Sequence, residues 1–176
     1  PPAAAAALLG IPVVTHESDT TAGLATKIIS LVARRVLLSW SSAASTLPLP
    51  ARVRVTGLPV RAGLRMGDRF SGRKYLGVRE GTRIMLVLGG SLGAEKLNHM
   101  VEEIKDKLTH DWMVVHQTGS HHDRPAVDEP GYRACPYFND EFADVLAAAD
   151  IAVSRAGATA LAEFAATGTA AVLVPL

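Results

Sequence analysis

Short apolar runs alternate along this chain with segments whose apolar residues recur at helical spacing. Runs of four to seven residues bounded by turn formers read as strands, and those with no polar alternation suit strands buried on both faces. By that rule strands are expected at Ile11–Thr15, Val36–Trp40, Arg52–Val55, Arg83–Leu88, Trp112–His116, Tyr132–Phe138, Ile151–Ser154 and Ala170–Leu176. Helices are expected at Pro2–Leu9, stopped by Gly10, and at about Ala22–Ala33, where Leu24, Ile28, Leu31 and Val32 share a face and Arg34-Arg35 suits the C-terminal dipole. A long helix ending near Leu108 carries Leu97, Val101, Ile104 and Leu108 on one face, with Glu102, Glu103, Lys105 and Asp106 largely elsewhere. Another runs to Ala149 with Asn139 or Asp140 as its cap, and a last one spans Ala158–Ala166 with Gly168 at its C-cap. His16–Thr21, Ser41–Pro50 and Ser120–Gly131 read as polar turn or loop, and Gly63–Gly81, with many charges and five glycines, shows little periodicity. Strands alternating with helices predict an α/β chain built on doubly wound, Rossmann-like parallel sheets. A boundary is expected near Gly57–Arg61, giving residues 1–60 and 61–176.

The segment Asp150–Leu176 is the most informative. It reads as strand, turn, helix, strand, with Ser154 and Gly157 supplying the turn. Such a turn leaves backbone N–H groups free at a helix N-terminus beside the carboxyl end of a strand, where anions and nucleotides bind in open α/β sheets. Glu163 is the one charge in an otherwise nearly apolar helix. Two turns in, its carboxylate can reach past the phosphate end toward a ribose; alternatively it marks the solvent side of an Ala-rich helix.

Composition narrows the classes. With 176 residues, 48% apolar and 20% charged, the chain should bury a core. A net charge of +1 and 5% aromatics give no case for nucleic acid. Cys135 is the single cysteine, so no internal disulfide forms, and a packed thiol is expected rather than a nucleophile. No apolar run reaches membrane-spanning length. The N-terminus reads as a helix whose beginning lies elsewhere and the C-terminus as a strand with nothing after it, so an internal fragment is expected.

Other polar clusters are candidates for chemistry. Gly89–Ala94 is a glycine turn between strand and helix, in which Gly90 and Gly93 allow close approach to a phosphate and Ser91 adds a hydroxyl; a plain structural turn is the alternative. It matches neither G-x-G-x-x-G nor a P-loop. His16, Glu17 and Asp19 follow a strand and could do acid–base work, or form a polar loop with a helix cap. His121-His122-Asp123 invites a metal, but adjacent histidines in a Pro-rich loop are solvated as a rule, and no metal site is assigned. His116 at a strand end is expected to be packed or hydrogen-bonded. Arg61 reads as a phosphate or base ligand or as a surface charge, and Arg155 as an ion-pair or anion contact.

Four stretches in order and spacing resemble the MurG family of peptidoglycan N-acetylglucosaminyltransferases: Gly10–Asp19 with Ala22–Leu24, Thr56–Arg61, Gly89–Ala94 with Leu97-Asn98, and Ser154–Thr159 with Glu163. The resemblance implies a GT-B type fold of two Rossmann-like domains, both incomplete here, with residues 1–60 ending the acceptor-side domain and 61–176 making most of the donor domain. It implies transfer of N-acetylglucosamine, with inversion, from UDP-N-acetylglucosamine to lipid I, the undecaprenyl-diphosphate-linked muramoyl-pentapeptide, giving lipid II. No cofactor or metal is implied. The implied site is peripheral on the cytoplasmic face of the cell membrane, with a membrane surface but no nucleic acid as partner. Residue by residue it makes Glu163 the ribose ligand, with Ala158, Thr159 and Ala160 at the diphosphate and sugar and Leu161 and Ala162 continuing the UDP-sugar run. Ser91 would face the phosphates, Arg61 and the Asn139 backbone would contact the nucleotide, and Phe138 would lie against the uracil. His16, Glu17 and Asp19 would face sugar and acceptor. Ala160 stands where many members carry Thr, Asp19 where some carry Asn, and the segment Ser120–Gly131 is shorter than usual. The family's glycine-rich loop with its catalytic-site His is expected before residue 1 and its Gln-bearing donor loop after Leu176, so no catalytic residue is assigned and the segment alone is not expected to turn over. The competing readings are another UDP-sugar glycosyltransferase or epimerase, or a non-catalytic nucleotide-sugar-binding module; an NAD-binding protein is disfavoured by the missing G-x-G-x-x-G.

Overall fold

A computed structural model describes residues 2–49, 52–90, 94–120 and 126–175. Ser91, Gly93 and the His121-His122-Asp123 run lie outside the described residues. The chain divides into two compact units, Pro1–Pro59 and Val60–Leu176.

The first unit holds helix α1 (Pro2–Leu8), strand β1 (Val14–Glu17), helix α2 (Leu24–Ser30) and strands β2 (Arg35–Leu38) and β3 (Val53–Val55). The three strands form a parallel sheet in the order β1-β2-β3, over a small core of Ala22, Ala33, Val36, Leu38, Ala43 and Leu47. Three expectations change here. His16 and Glu17 are the last residues of β1 rather than a turn, because β2 continues to pair with them. Ser41–Thr46 is a short 3-10 helix rather than loop. Helix α2 is shorter than its apolar spacing suggested, and Leu24, Ile28, Leu31 and Val32 are exposed in this unit.

The second unit runs α3 (Arg69–Leu76), β4 (Ile84–Leu88), α4 (Glu95–Leu108), β5 (Met113–Gln117), β6 (Val127–Glu129), β7 (Tyr132–Cys135), α5 (Phe142–Ala148), β8 (Ile151–Arg155), α6 (Ala158–Thr167) and β9 (Ala171–Val174). Its sheet has the order β6-β7-β5-β4-β8-β9, parallel throughout except for β6 against β7. The alternation of each strand feeds two cores. Ile84, Leu86, Leu88 and Val115 meet Leu76 of α3, Val145 and Leu146 of α5 and Phe164 of α6 on one face. Val87 and Val114 meet Leu97 and Val101 of α4 on the other. Both faces being covered, the continuous apolar strands need no polar side.

Helix α3 lies in the segment without clear periodicity. Asp68 caps it by accepting the Ser71 N–H at 2.7 Å, and Gly77 ends it at a φ of 65°. Its mid-helix Gly72 lies against α5, where a Cβ would strike the carbonyl of Asp144. Strand β6 also falls in a segment read as loop. At the start of α5 neither Asn139 nor Asp140 caps by side chain; the flanking Glu141 is already helical, and the Asn139 carbonyl accepts the Phe142 N–H at 3.2 Å.

Among the parallel strands the chain moves outward from β4 to β5 and β7, then returns to the other side of β4 for β8 and β9. The direction of winding reverses between β4 and β8, the place where such sheets open a crevice beyond the carboxyl ends of their strands.

Candidate functional site

That crevice is present. A cavity of about 520 Å³ lies at the carboxyl ends of β4, β5 and β8, floored by Leu88, Gly89, Gly90, Gln117 and Ser154. The start of α6 forms a wall with Gly157, Ala158, Thr159, Ala160 and Glu163, and Arg61, Tyr137 and Phe142 also line the cavity. All of these belong to the second unit.

The α6 wall is shaped for an anion. Gly157 flanks the helix in extended conformation, and no side chain caps it. The first-turn N–H groups of Ala158, Thr159 and Ala160 therefore lack intrahelical acceptors and sit at the positive end of the helix dipole. Nothing lies within 4 Å of where a Cβ on Gly157 would be, and its φ of −79° suits any residue. The glycine leaves space on the cleft side of the turn. Gly90 does need its freedom, since its φ is 83°.

One turn further along α6, Glu163 is buried with its side chain 8% exposed, which removes the reading of a solvent-side charge. Arg61 Nε donates to its Oε1 at 2.9 Å, and the guanidinium lies 4.1 Å above the Phe142 ring. Among the described residues the second carboxylate oxygen takes no protein hydrogen bond. A carboxylate held in this way can accept from a hydroxyl pair while its charge stays compensated.

The end of β5 is fixed by a buried relay. Asn98 Nδ2 donates to the Thr118 carbonyl at 2.9 Å, which obliges its Oδ1 to accept, at 3.0 Å, from His116 Nε2. That assigns the proton to Nε2 and leaves Nδ1 to accept from the Tyr132 hydroxyl at 2.8 Å. Burial pushes the His116 pKa down to about 4, so the ring is neutral and the relay keeps one polarity. Gln117, next in the chain, accepts the Phe138 N–H at Oε1 over 3.1 Å and so holds the loop after β7 at the rim of the cavity.

The other candidates are placed as follows. Phe138 is only 2% exposed, its ring packed in the core, and it is not part of the cavity lining; the aromatic rings there are Tyr137 and Phe142. Asn139 is exposed beyond the lining, while Leu161 and Ala162 are half-buried behind it. Cys135 is half-buried, and burial raises its pKa to about 11, so it is a packed thiol. In the first unit Glu17 is a structural anchor: it accepts the N–H of Asp19 at 3.1 Å and of Gly23 at 2.9 Å. Burial acts to raise its pKa, but bonds from the Thr26 side chain and the backbone of Gly23, Asp19 and Ser18 outweigh it and the net shift is downward. His16 Nε2 lies 3.3 Å from both the Gly57 carbonyl and Ser39 Oγ, and Asp19 is exposed. No group of three potential metal ligands occurs among the described residues. Sequence reasoning missed Gln117, Tyr137 and Phe142; the available signal was position, since Gln117 ends a strand on the carboxyl edge and Tyr137 belongs to the loop that follows the next one.

This geometry agrees with the comparisons. The profile of the glycosyltransferase family 28 C-terminal domain matches residues 84–176, which contain β4 to β9 and every cavity residue but Arg61. The UDP-N-acetylglucosamine–N-acetylmuramyl-(pentapeptide) pyrophosphoryl-undecaprenol N-acetylglucosamine transferase of Treponema denticola is 40% identical, over 100% of this chain and 49% of its own length. Its counterpart in Staphylococcus carnosus is 36% identical over 98% of this chain and 47% of its own. A crystal structure of Acinetobacter baumannii MurG superposes with a TM-score of 0.62 at 29% identity, over 99% of this chain and 48% of that one. The chain thus spans about half the length of the curated relatives it matches. A doubly wound sheet with its crevice at the β4/β8 reversal, matched over those strands by the profile, places the chain in glycosyltransferase family 28 as a carrier of that family's C-terminal domain.

Proposed function

We propose that the second unit is the UDP-N-acetylglucosamine site of a transferase that glycosylates lipid I to make lipid II, and that the first unit contributes to the acceptor side. The observation that carries this reading is the order of groups along α6: open N–H donors at Ala158–Ala160, then the buried carboxylate of Glu163. The N–H groups suit a diphosphate and the carboxylate suits ribose hydroxyls, so UDP is read from phosphate to ribose along one helix. In the transfer, the acceptor hydroxyl attacks the anomeric carbon from the face opposite UDP, and negative charge grows on the departing phosphate. The dipole and N–H groups of α6 stabilise that charge where it develops. Arg61 orients Glu163 and adds a cation at the same wall. The activity for which the relatives in Treponema and Staphylococcus are named supports the sugar and the lipid-linked acceptor. Work at the cytoplasmic membrane face follows from that acceptor; among the described residues no helix is long and apolar enough to cross a membrane.

The test is Glu163→Ala. Losing hydrogen bonds to a charged group should weaken UDP binding by about 1.5–3 kcal/mol, or roughly 10- to 150-fold. Calorimetry with UDP and UDP-N-acetylglucosamine reads this directly, alongside circular dichroism for the fold. Unchanged affinity in a folded variant would end the assignment.

A further inference from the structure

Gln117 is a cavity residue whose polar end is nearly buried and half-used. It is 4% exposed and lines the floor of the cleft. Its amide cannot turn over: the Phe138 N–H points at Oε1 from 3.1 Å, and a flip would set an NH₂ group against that N–H. The backbone beneath is equally fixed, by the Asn98 bond to the Thr118 carbonyl and the His116 bond to Asn98. Among the described residues Nε2 has no hydrogen-bond partner, yet no buried side-chain nitrogen or oxygen lacks one. Nε2 therefore opens to the cavity. A nearly buried donor held in one direction toward a cleft is poised for an acceptor that arrives with a ligand.

The neighbours indicate which part of the ligand this is. Phosphate donors and Glu163 lie on the β8–α6 side, whereas Gln117 lies on β5, beside the loop after β7 that carries Tyr137. A nucleotide whose phosphates and ribose lie along α6 has its base left to cover the β5–β7 side. Resting on the donor-site reading, we propose that Gln117 is a specificity-determining residue whose Nε2–H donates to an oxo group of the pyrimidine ring. A uracil offers two such acceptors flanking its ring N–H.

Two variants separate this from a purely structural role. Gln117→Glu keeps an acceptor for the Phe138 N–H but removes the donor; Gln117→Met removes both. Uridine and UDP are titrated against each variant by NMR, uridine carrying no phosphate to repel a carboxylate. Both variants should bind uridine about 3- to 10-fold more weakly, the size of one neutral hydrogen bond, with a similar loss for UDP. If Gln117→Glu binds uridine like the unaltered chain, the side chain is only an anchor for Phe138 and the proposal fails. A loss confined to UDP would place the contact on phosphate and likewise overturn it. Should the unaltered chain bind neither UDP nor uridine, the donor-site reading itself falls, an outcome distinct from any variant effect.

Discussion

Replacing Gly157 with alanine should leave the fold intact and damage only the site. In the folded chain the new methyl meets nothing within 4 Å, and a φ of −79° carries no strain for alanine. Alanine is a poorer N-cap than glycine, by roughly 0.5–1 kcal/mol. Against that, it narrows the unfolded ensemble and returns about 0.4–1 kcal/mol. The two nearly cancel, so the unfolding midpoint should move by no more than about 2 °C for a chain of this size. The ligand meets a different situation. A phosphate seated on the N–H groups of Ala158–Ala160 must pass the open side of residue 157, and a methyl there crowds it. Overpacking of that kind costs about 1–3 kcal/mol, which lowers UDP affinity by roughly 5- to 150-fold. Thermal unfolding and UDP calorimetry on the same preparation give both numbers. Unchanged UDP affinity would show that the α6 N-terminus does not hold the diphosphate.

Gly72→Ala should act in the opposite sense, with a loss of about 2–3 kcal/mol in urea unfolding, because its Cβ would meet the backbone carbonyl of Asp144 rather than a side chain that can turn aside; equal or greater stability would refute the close α3–α5 approach. Asp150 accepts the Ile84 N–H at 2.8 Å and pairs with Arg69 at 2.6 Å. Burial acts to raise its pKa, but those bonds and the nearby arginine charges win and hold it below the ordinary 3.8. A folded pKa below the unfolded one stabilises above pH 3.8, and that contribution is lost as pH falls further; Asp150→Asn should therefore flatten the acid limb of a stability profile, and an identical limb would refute the assignment. UDP binding should be indifferent to a chelator, since the diphosphate is held by N–H groups; loss of binding with chelator and its return with magnesium would contradict that.

Elements that bury a complete face were legible in the sequence. The run Ile84–Leu88 and the spacing of Leu97 and Val101 each state their burial locally, and the structure places them as strand and helix. Gly168 ends α6 at a φ of 70°, as its position after the last helical residue implied. What failed depends on partners distant in sequence. Helix α3 carries Gly72 in its interior and basic residues around it, a poor helix by propensity, and it forms because a glycine lets it press against α5. Strand β6 is three residues that exist as a strand only by pairing with β7. Residues His16 and Glu17 read as a turn from their polarity, but register with β2 holds them in the sheet. The exposed face of α2 shows the converse: helical spacing of Leu24 and Ile28 indicates a face to bury without saying against what.

The site divides along the same line. Turn chemistry at Gly89-Gly90 and Gly157 is local, and its placement at the strand ends follows from parallel topology, so the anion end of the crevice could be inferred from order alone. The role of Glu163 could not, because its two readings differ only in what covers it, and the covering residue, Arg61, comes 102 positions earlier. Once α6 is placed, burial beside Arg61 removes the solvent-side reading. Glu163 lies five residues past Ala158, about 7.5 Å along the helix axis. Five residues is also close to one and a half turns, so a carboxylate there would point away from the cleft if only the first residue of the helix faced it; Thr159 and Ala160, which also line the cavity, lie four and three residues before Glu163 and share its face. The N–H groups open at the end of the helix and the Glu163 carboxylate, on the Thr159 and Ala160 face, thus border the same cavity, separated along the helix axis. Phe164, the next residue, turns into the core and fixes the rotation of that face. If UDP binds as proposed, specificity for a nucleoside diphosphate over a simple anion rests on the packing of α6 as much as on the groups it presents.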